Sequence, residues 1–196
     1  MLAVIALVLV AALGLVFHAA TTPYVNLASV ASSSAAATSA QQKLSLVTTA
    51  AEQAQSTGKP AAVSVTLIDG EMTSLATDAV TVAEQFGTLP GIDGVVVHAA
   101  GAGTLQVQAR VHFVFVTLPL YVAVHLASPD QKSIDVTVTD ARLGTIPLPA
   151  GLVDGIVEQV RKQALDRLNI AQAPNYDHAS VIVGVGRVTF NATFEP

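Results

Sequence analysis

The residues able to do chemistry are few and scattered. Five histidines are present, His18, His98, His112, His125 and His178. If Leu118-Pro119 forms a tight hairpin, His112 and His125 fall opposite each other on neighbouring strands. Two neutral imidazoles can hold Zn²⁺, but a zinc site needs three or four ligands. No third ligand is placed by the spacing, so the two read as a polar-face pair. Asp135, Asp140 and Asp154 are too dispersed for the paired carboxylates of acid–base catalysis. There is no Gly-x-Ser-x-Gly elbow and no phosphate loop. "GAGTLQ" and "GVGRV" contain glycines, but neither leads a strand into a helix as a dinucleotide site requires. Asn191-Ala-Thr193 matches a glycosylation acceptor, a match common by chance. The expectation is a non-catalytic protein with no metal and no cofactor.

Composition narrows the class. Of 196 residues, 52% are hydrophobic and 12% charged, against about 25% charged in soluble domains. There is no Trp, and Ala and Val carry the excess, so the interior should be aliphatic. The net charge is −5 and the nine Lys and Arg are scattered, which argues against a nucleic-acid partner. With no Cys, disulfides and thiolate chemistry are excluded.

What would position any site begins with the N-terminus. No polar side chain occurs from Leu2 to Phe17. A helix extended to Thr22 spans about 33 Å, enough for a hydrocarbon core of about 30 Å. Residues 1–22 are therefore expected to be a retained transmembrane anchor. The alternative is a signal peptide, with His18-Ala19-Ala20 as a poor cleavage site. No Lys or Arg precedes the segment, so charge gives no orientation. Residues 23–60 are rich in Ala, Ser, Thr and Gln and read as a spacer, helical in part around Gln41–Gln55 and ended by Gly58-Lys59-Pro60.

From Ala61 the pattern is that of a folded domain, expected over 61–196. "AVSVTLID" alternates as a strand. Met72, Leu75, Ala76, Ala79, Val80, Ala83 and Phe86 recur at helical spacing, from Asp69-Gly70 to Gly87. "GVVVHAA" is a short strand and Gly101-Ala-Gly103 a turn. Thr104 to Val116 is the longest strand signal. Leu105, Val107, Ala109, Val111, Phe113 and Phe115 fall on one face, with Thr104, Gln106, Gln108, Arg110 and His112 on the other. Leu118-Pro119 should break it. "YVAVHLAS" and "SIDVTVTDA" are further strands, and Leu152 to Leu168 is a strongly amphipathic helix. "SVIVGVGRVTFNATF" reads as one last strand bent at Gly184 and Gly186. The order β-α-β-β-β-β-α-β lacks βαβα alternation, so an antiparallel α+β domain is expected.

Between the last two groups lies "ARLGTIPLPAGLVDGIVEQV". Pro147 and Pro149 push Ile146 and Leu148 into extended geometry, and Pro149 suits the first position of the following helix. No Ser, Thr, Asp or Asn caps that helix. One reading is a stiff strand exit that sets the angle between sheet and helix. The functional reading has Ile146, Leu148, Leu152, Val153 and Ile156 lining an apolar groove between helix and sheet, with Phe113 and Phe115 on the strand face.

The alternating Val/Thr strand, the step "ARLGTIPLPAGLVDGIV", the closing "VIVGVGRVTF" and the early unit "VSVTLIDGEMTSLATDAV" together resemble YpmS-like bacterial membrane-anchored proteins of the tubular lipid-binding (TULIP-like) group. The resemblance covers roughly Ala61 to Phe194 and rests on apolar patterns with a Gly-Pro signature. It implies a long curved antiparallel sheet wrapped around an amphipathic helix and enclosing an elongated apolar groove. It also implies a lipid or other apolar ligand, bound outside the cytoplasm by a single-pass protein of the cell membrane. The Ala/Ser/Thr-rich spacer and the lack of a basic flank depart from the group. Two functions follow: a membrane-tethered lipid-binding module, or a structural accessory subunit of a larger membrane or envelope complex whose groove is a filled core.

Overall fold

The computed structural model describes residues 18–85, 91–113, 115–130, 134–149, 151 and 176–196. Within them the chain is a mixed α+β structure made mostly of antiparallel strands. Ser33 caps a long helix, its hydroxyl accepting the Ala36 N–H, one of the donors a helix start leaves unpaired. This helix, α1, runs Ser34–Thr57 and stops at Gly58, whose φ of +64° puts it in the left-handed C-cap region. Strand β1 (Ala61–Ile68) leads into α2 (Asp69–Gln85). Then come β2 (Ile92–Gly101), β3 (Thr104–Phe113), β4 (Val116–Ala127), β5 (Asp135–Leu143) and the two-residue β6 (Ile146–Pro147). The hairpin of β7 (Tyr176–Gly184) and β8 (Arg187–Phe194) closes the order.

The strands form two sheets, β1-β8-β7 and β2-β3-β4-β5-β6. Alternation decides what each face does. In the smaller sheet, Ala61, Ala192 and Phe194 pack with Ala50 and Ala54 of α1, flanked by Val47, Val63 and Phe190. The segment expected to be a spacer thus contains a long helix that buries alanines against a sheet. Its composition hid this, because Ala is both small enough to approach a sheet closely and common in low-complexity sequence. In the larger sheet, Val95, Val97 and Ala109 pack against Met72, Ala76 and Val80 of α2, as the helical stripe anticipates.

The sheets are joined along the β2 edge. There Thr73, fully buried, accepts the Val97 N–H at 2.9 Å and donates to the Val97 carbonyl at 3.2 Å. One turn earlier, Asp69 accepts the Ala99 N–H at 2.9 Å and lies 2.6 Å from His98 Nδ1. The β7–β8 turn completes the seam, with Gly186 N–H donating to the Ala99 carbonyl and Val185 bridging Ala100. An edge that would otherwise offer unpaired groups to another chain is therefore closed from within.

Several expectations are corrected. The chain turns between Phe113 and Val116, so β3 ends earlier than Val116 and Phe115 sits at a hairpin tip, 97% exposed, not on the apolar face. Leu118-Pro119 breaks nothing. The Pro119 carbonyl accepts from Gly144, so its nitrogen lies on the same side, where β5 has just ended and no ladder bond is lost. With the turn moved, His112 pairs with Thr117 and His125 with Thr104, and the histidine pair is not formed. The closing "SVIVGVGRVTFNATF" is a hairpin, turning at Val185-Gly186 where Gly186 has φ +72°. Most of the proposed anchor, the amphipathic segment 152–168 and the end of α2 near Gly87 lie outside the described residues. Among those described, no helix is long and apolar enough to cross a membrane.

Candidate functional site

Register assigns the paired residues of the larger sheet to its two faces. On one, Leu105 pairs with Val124, Val107 with Val122, Ala109 with Leu120 and Val111 with Leu118. The same face continues onto β5 through Val124–Val138, Leu126–Val136, Val122–Ala141 and Leu120–Leu143, and ends at Ile146 opposite Leu143. A β-bulge at Ala123/Val124 lets β5 keep this face despite an extra residue. The result is a continuous surface on which every residue paired by register is aliphatic; Thr139, the extra residue at the bulge, donates its hydroxyl to the Ala123 carbonyl. α2 packs on its β2–β3 half. On its β4–β5 half, Leu118, Leu120, Val122, Val124, Val138 and Leu143 are half-buried and Val136 is 48% exposed.

The structure brings two of the anticipated residues to this surface. Ile146 lies on it by register, and Leu148 continues the extended run, its N–H donating to the Ala141 carbonyl at 2.8 Å. Both are half-buried. Phe113 ends β3 opposite Val116. Phe115 stands apart at the tip. Leu152, Val153 and Ile156 lie outside the described residues. Pro147 and Pro149 follow the free edge of the sheet, where a missing N–H costs no ladder bond.

The opposite face is polar and carries a strap that sequence reasoning missed. Residues 18–21 are helical, and the chain then runs without regular secondary structure to Ser33, bending at Thr22 and Tyr24. The Ala19 carbonyl accepts from the Thr145 N–H at 2.8 Å and its hydroxyl at 3.1 Å. Tyr24 meets Tyr121 edge-on, ring centres 5.4 Å apart, and the Arg142 guanidinium lies 3.9 Å over the Tyr24 ring. Arg142 is itself held by Asp140 at 2.9 Å. The Leu27 N–H donates to Gln108, and Ser33 N–H to Ser74. Tyr121 is thereby buried on a nominally polar face, and burial, with the Asp140 charge, pushes its hydroxyl pKa up. A lone Tyr in an Ala/Ser/Thr run was the available signal: an aromatic there has little reason to exist unless it docks.

Two ionic clusters remain. Glu71, 4% exposed, accepts from Ser39, the Ile68 N–H and Lys43, and Lys43 also reaches the Thr66 carbonyl. Burial alone would raise this carboxyl; the hydrogen bonds from Lys43, Ser39 and Ile68, with the Lys43 charge, outweigh it and hold the pKa below the usual value. The cluster ties α1, β1 and α2 together. On the polar sheet face, Asp93 binds Arg110 at 2.7 Å and His112 at 2.8 Å, while Thr117 lies 2.9 Å from His112 Nδ1. His112, then Arg110, keep Asp93 ionised below the usual range. Hydroxyl, imidazole and carboxylate in series echo a proton relay. Such relays work where water is excluded, whereas His112 and Asp93 are 44% and 48% exposed. Among the described residues no group of three or more His, Asp or Glu is placed to hold a metal.

Compared with known family models, curated proteins and solved structures, the chain matches none.

Proposed function

We propose that this protein is a membrane-tethered module, held outside the cytoplasm, that binds a lipid or other apolar ligand on the β4–β5 half of the larger sheet without catalysing a reaction. The observation carrying this reading is the uninterrupted aliphatic face from Leu105 to Ile146, packed on α2 at one half and only half-buried at the other. Burying apolar surface is favourable by about 25 cal/mol per Å², so a face of this kind gains by taking up an acyl chain. The resemblance to the TULIP-like group supports the same reading, as does a long antiparallel sheet whose edge carries the Gly-x-Ile-Pro-Leu-Pro step. The exposed setting of the Asp93–His112–Thr117 series supports a non-catalytic role. The hydrophobic stretch Leu2–Phe17 supports the tether.

The test uses the full chain purified in detergent. Organic extraction and mass spectrometry should recover bound lipid, and Val122→Trp should reduce that recovery severalfold while the protein still unfolds cooperatively near the wild-type temperature. Wild-type protein free of lipid would favour the accessory-subunit reading. So would a Val122→Trp protein that keeps its ligand but loses the roughly 1–3 kcal/mol expected of an overpacked core.

A further inference from the structure

The membrane-tethered reading leaves open which part of the domain faces the bilayer. Two independent features point to one corner of the larger sheet. The first is the docking of the strap. Ala19 is held by Thr145 in the β5–β6 turn, and a single residue, His18, separates it from the apolar stretch ending at Phe17. Gly144 permits the contact: at φ +61°, a Cβ there would collide with the carbonyl oxygens of Ala19 and Ala20. His18, the neighbour of the docked Ala19, therefore lies beside the β5–β6 turn.

The second feature is the β3–β4 hairpin, which turns at the same end of the sheet. Gly144 donates to the Pro119 carbonyl, so the tip at Phe115 extends four residues further along β4, about 13 Å beyond that level. Its chemistry is unusual for a hairpin tip in water. Two-residue turns there favour Asn-Gly or Asp-Gly, yet this chain reads Phe113-Val114-Phe115-Val116, and no charged residue occurs from Phe113 to Tyr121. Phe115 is 97% exposed. Among the other exposed apolar side chains, Leu46, Ile68 and Ile182 are placed singly on strands and helices, and Val185, in the β7–β8 turn, stands between Gly184 and Gly186; single exposures are ordinary.

We infer that the β3–β4 hairpin tip is a second membrane contact, with Phe115 inserted at the headgroup–acyl boundary. Amphipathic segments that lie in the membrane interface bury Phe, with Trp and Leu, at that depth, and insertion to the boundary leaves the hairpin's backbone groups within reach of water. With the strap docked at the β5–β6 turn and the tip immersed, the Ile146 end of the apolar face opens toward the bilayer. A lipid chain then passes from membrane to sheet without crossing water. The occupant of this corner is the bilayer itself.

The chain contains no Trp, so Phe115→Trp creates a single reporter. Val185→Trp supplies the control, because Val185 is 76% exposed at the opposite end of the sheet, where it bridges Ala100. Each full-length variant is reconstituted in phosphatidylcholine vesicles with and without brominated acyl chains. Emission of the Phe115→Trp protein should be blue-shifted and quenched severalfold more strongly than that of the Val185→Trp protein. Equal emission and quenching at both positions, in protein that resists carbonate extraction, overturns the inference and leaves the tether intact. Protein washed from the vesicles by carbonate overturns both. Lipid recovery by mass spectrometry is read separately, so failure of ligand binding is not mistaken for failure of insertion.

Discussion

Glu71 shows how one buried carboxylate can govern acid stability. Its pKa is lowered in the folded state by Lys43, Ser39 and the Ile68 N–H against the opposing effect of burial. A lowered folded pKa contributes stability that is present above the unfolded value and lost as pH falls through the folded one. The contribution should thus be complete at neutral pH and decline below the ordinary glutamate value of 4.5. Glu71→Gln keeps the shape but removes the charge, leaving Lys43 facing a neutral amide. Breaking a buried pair costs about 3–5 kcal/mol; with Lys43 37% exposed, about 2 kcal/mol is the expected loss at pH 7. Urea unfolding from pH 7 to pH 3 should show the gap between wild type and Glu71→Gln closing as pH falls. A gap independent of pH would mean that the ionised form is not what stabilises the joint.

At the scale of elements, the β2 edge is the informative case. Thr73 replaces a neighbouring strand, accepting from and donating to one residue, Val97. Thr73→Val preserves volume and removes both bonds, stranding a buried N–H and carbonyl at a cost of about 1–3 kcal/mol. Hydrogen exchange at the Val97 amide should quicken more than at Val107, whose ladder partners are untouched. An unchanged Val97 amide would show that the edge is protected by α2 packing alone. This seam was illegible in the sequence, because Thr73 is a polar residue beside the apolar stripe of α2, and spacing alone does not say that its hydroxyl meets the β2 backbone. The one-sided pattern of β3 was legible, since alternation at period two directly reports a half-covered sheet. The hairpin tip was not. Phe113-Val114-Phe115-Val116 has no turn residue, while Leu118-Pro119 nearby looks like a break, and proline's cost depends on which side of the strand its nitrogen faces. The run of Ile146 and Leu148 along β5 followed from the constraint proline places on its predecessor. Phe115 was misplaced because moving the turn by a few residues removes it from the strand.

At the scale of the whole molecule, the strap sets how the domain sits relative to whatever precedes His18. It crosses from the β5–β6 turn, over Tyr121, to Gln108 of β3 and on to Ser74 of α2. It is thin, held by a few contacts, and covers a face that is otherwise polar, so it should open before the sheet does. Tyr24→Ala removes the edge-on contact with Tyr121, worth about 0.5–1.5 kcal/mol. Gly144→Ala forces an L-residue into left-handed geometry, at about 1–2 kcal/mol, and drives a methyl into the Ala19 and Ala20 carbonyls. Because both changes act on one segment, their effects on its docking should be less than additive: once either frees the strap, the other has less left to release. Limited proteolysis reads this directly. Cleavage between Thr22 and Ser33 should accelerate severalfold in each single variant and little further in the double, while cleavage within β3 and β4 stays slow. Strictly multiplicative acceleration would mean that Tyr24 and Ala19 dock independently, and the strap would then no longer couple the β5–β6 corner to the body of the sheet.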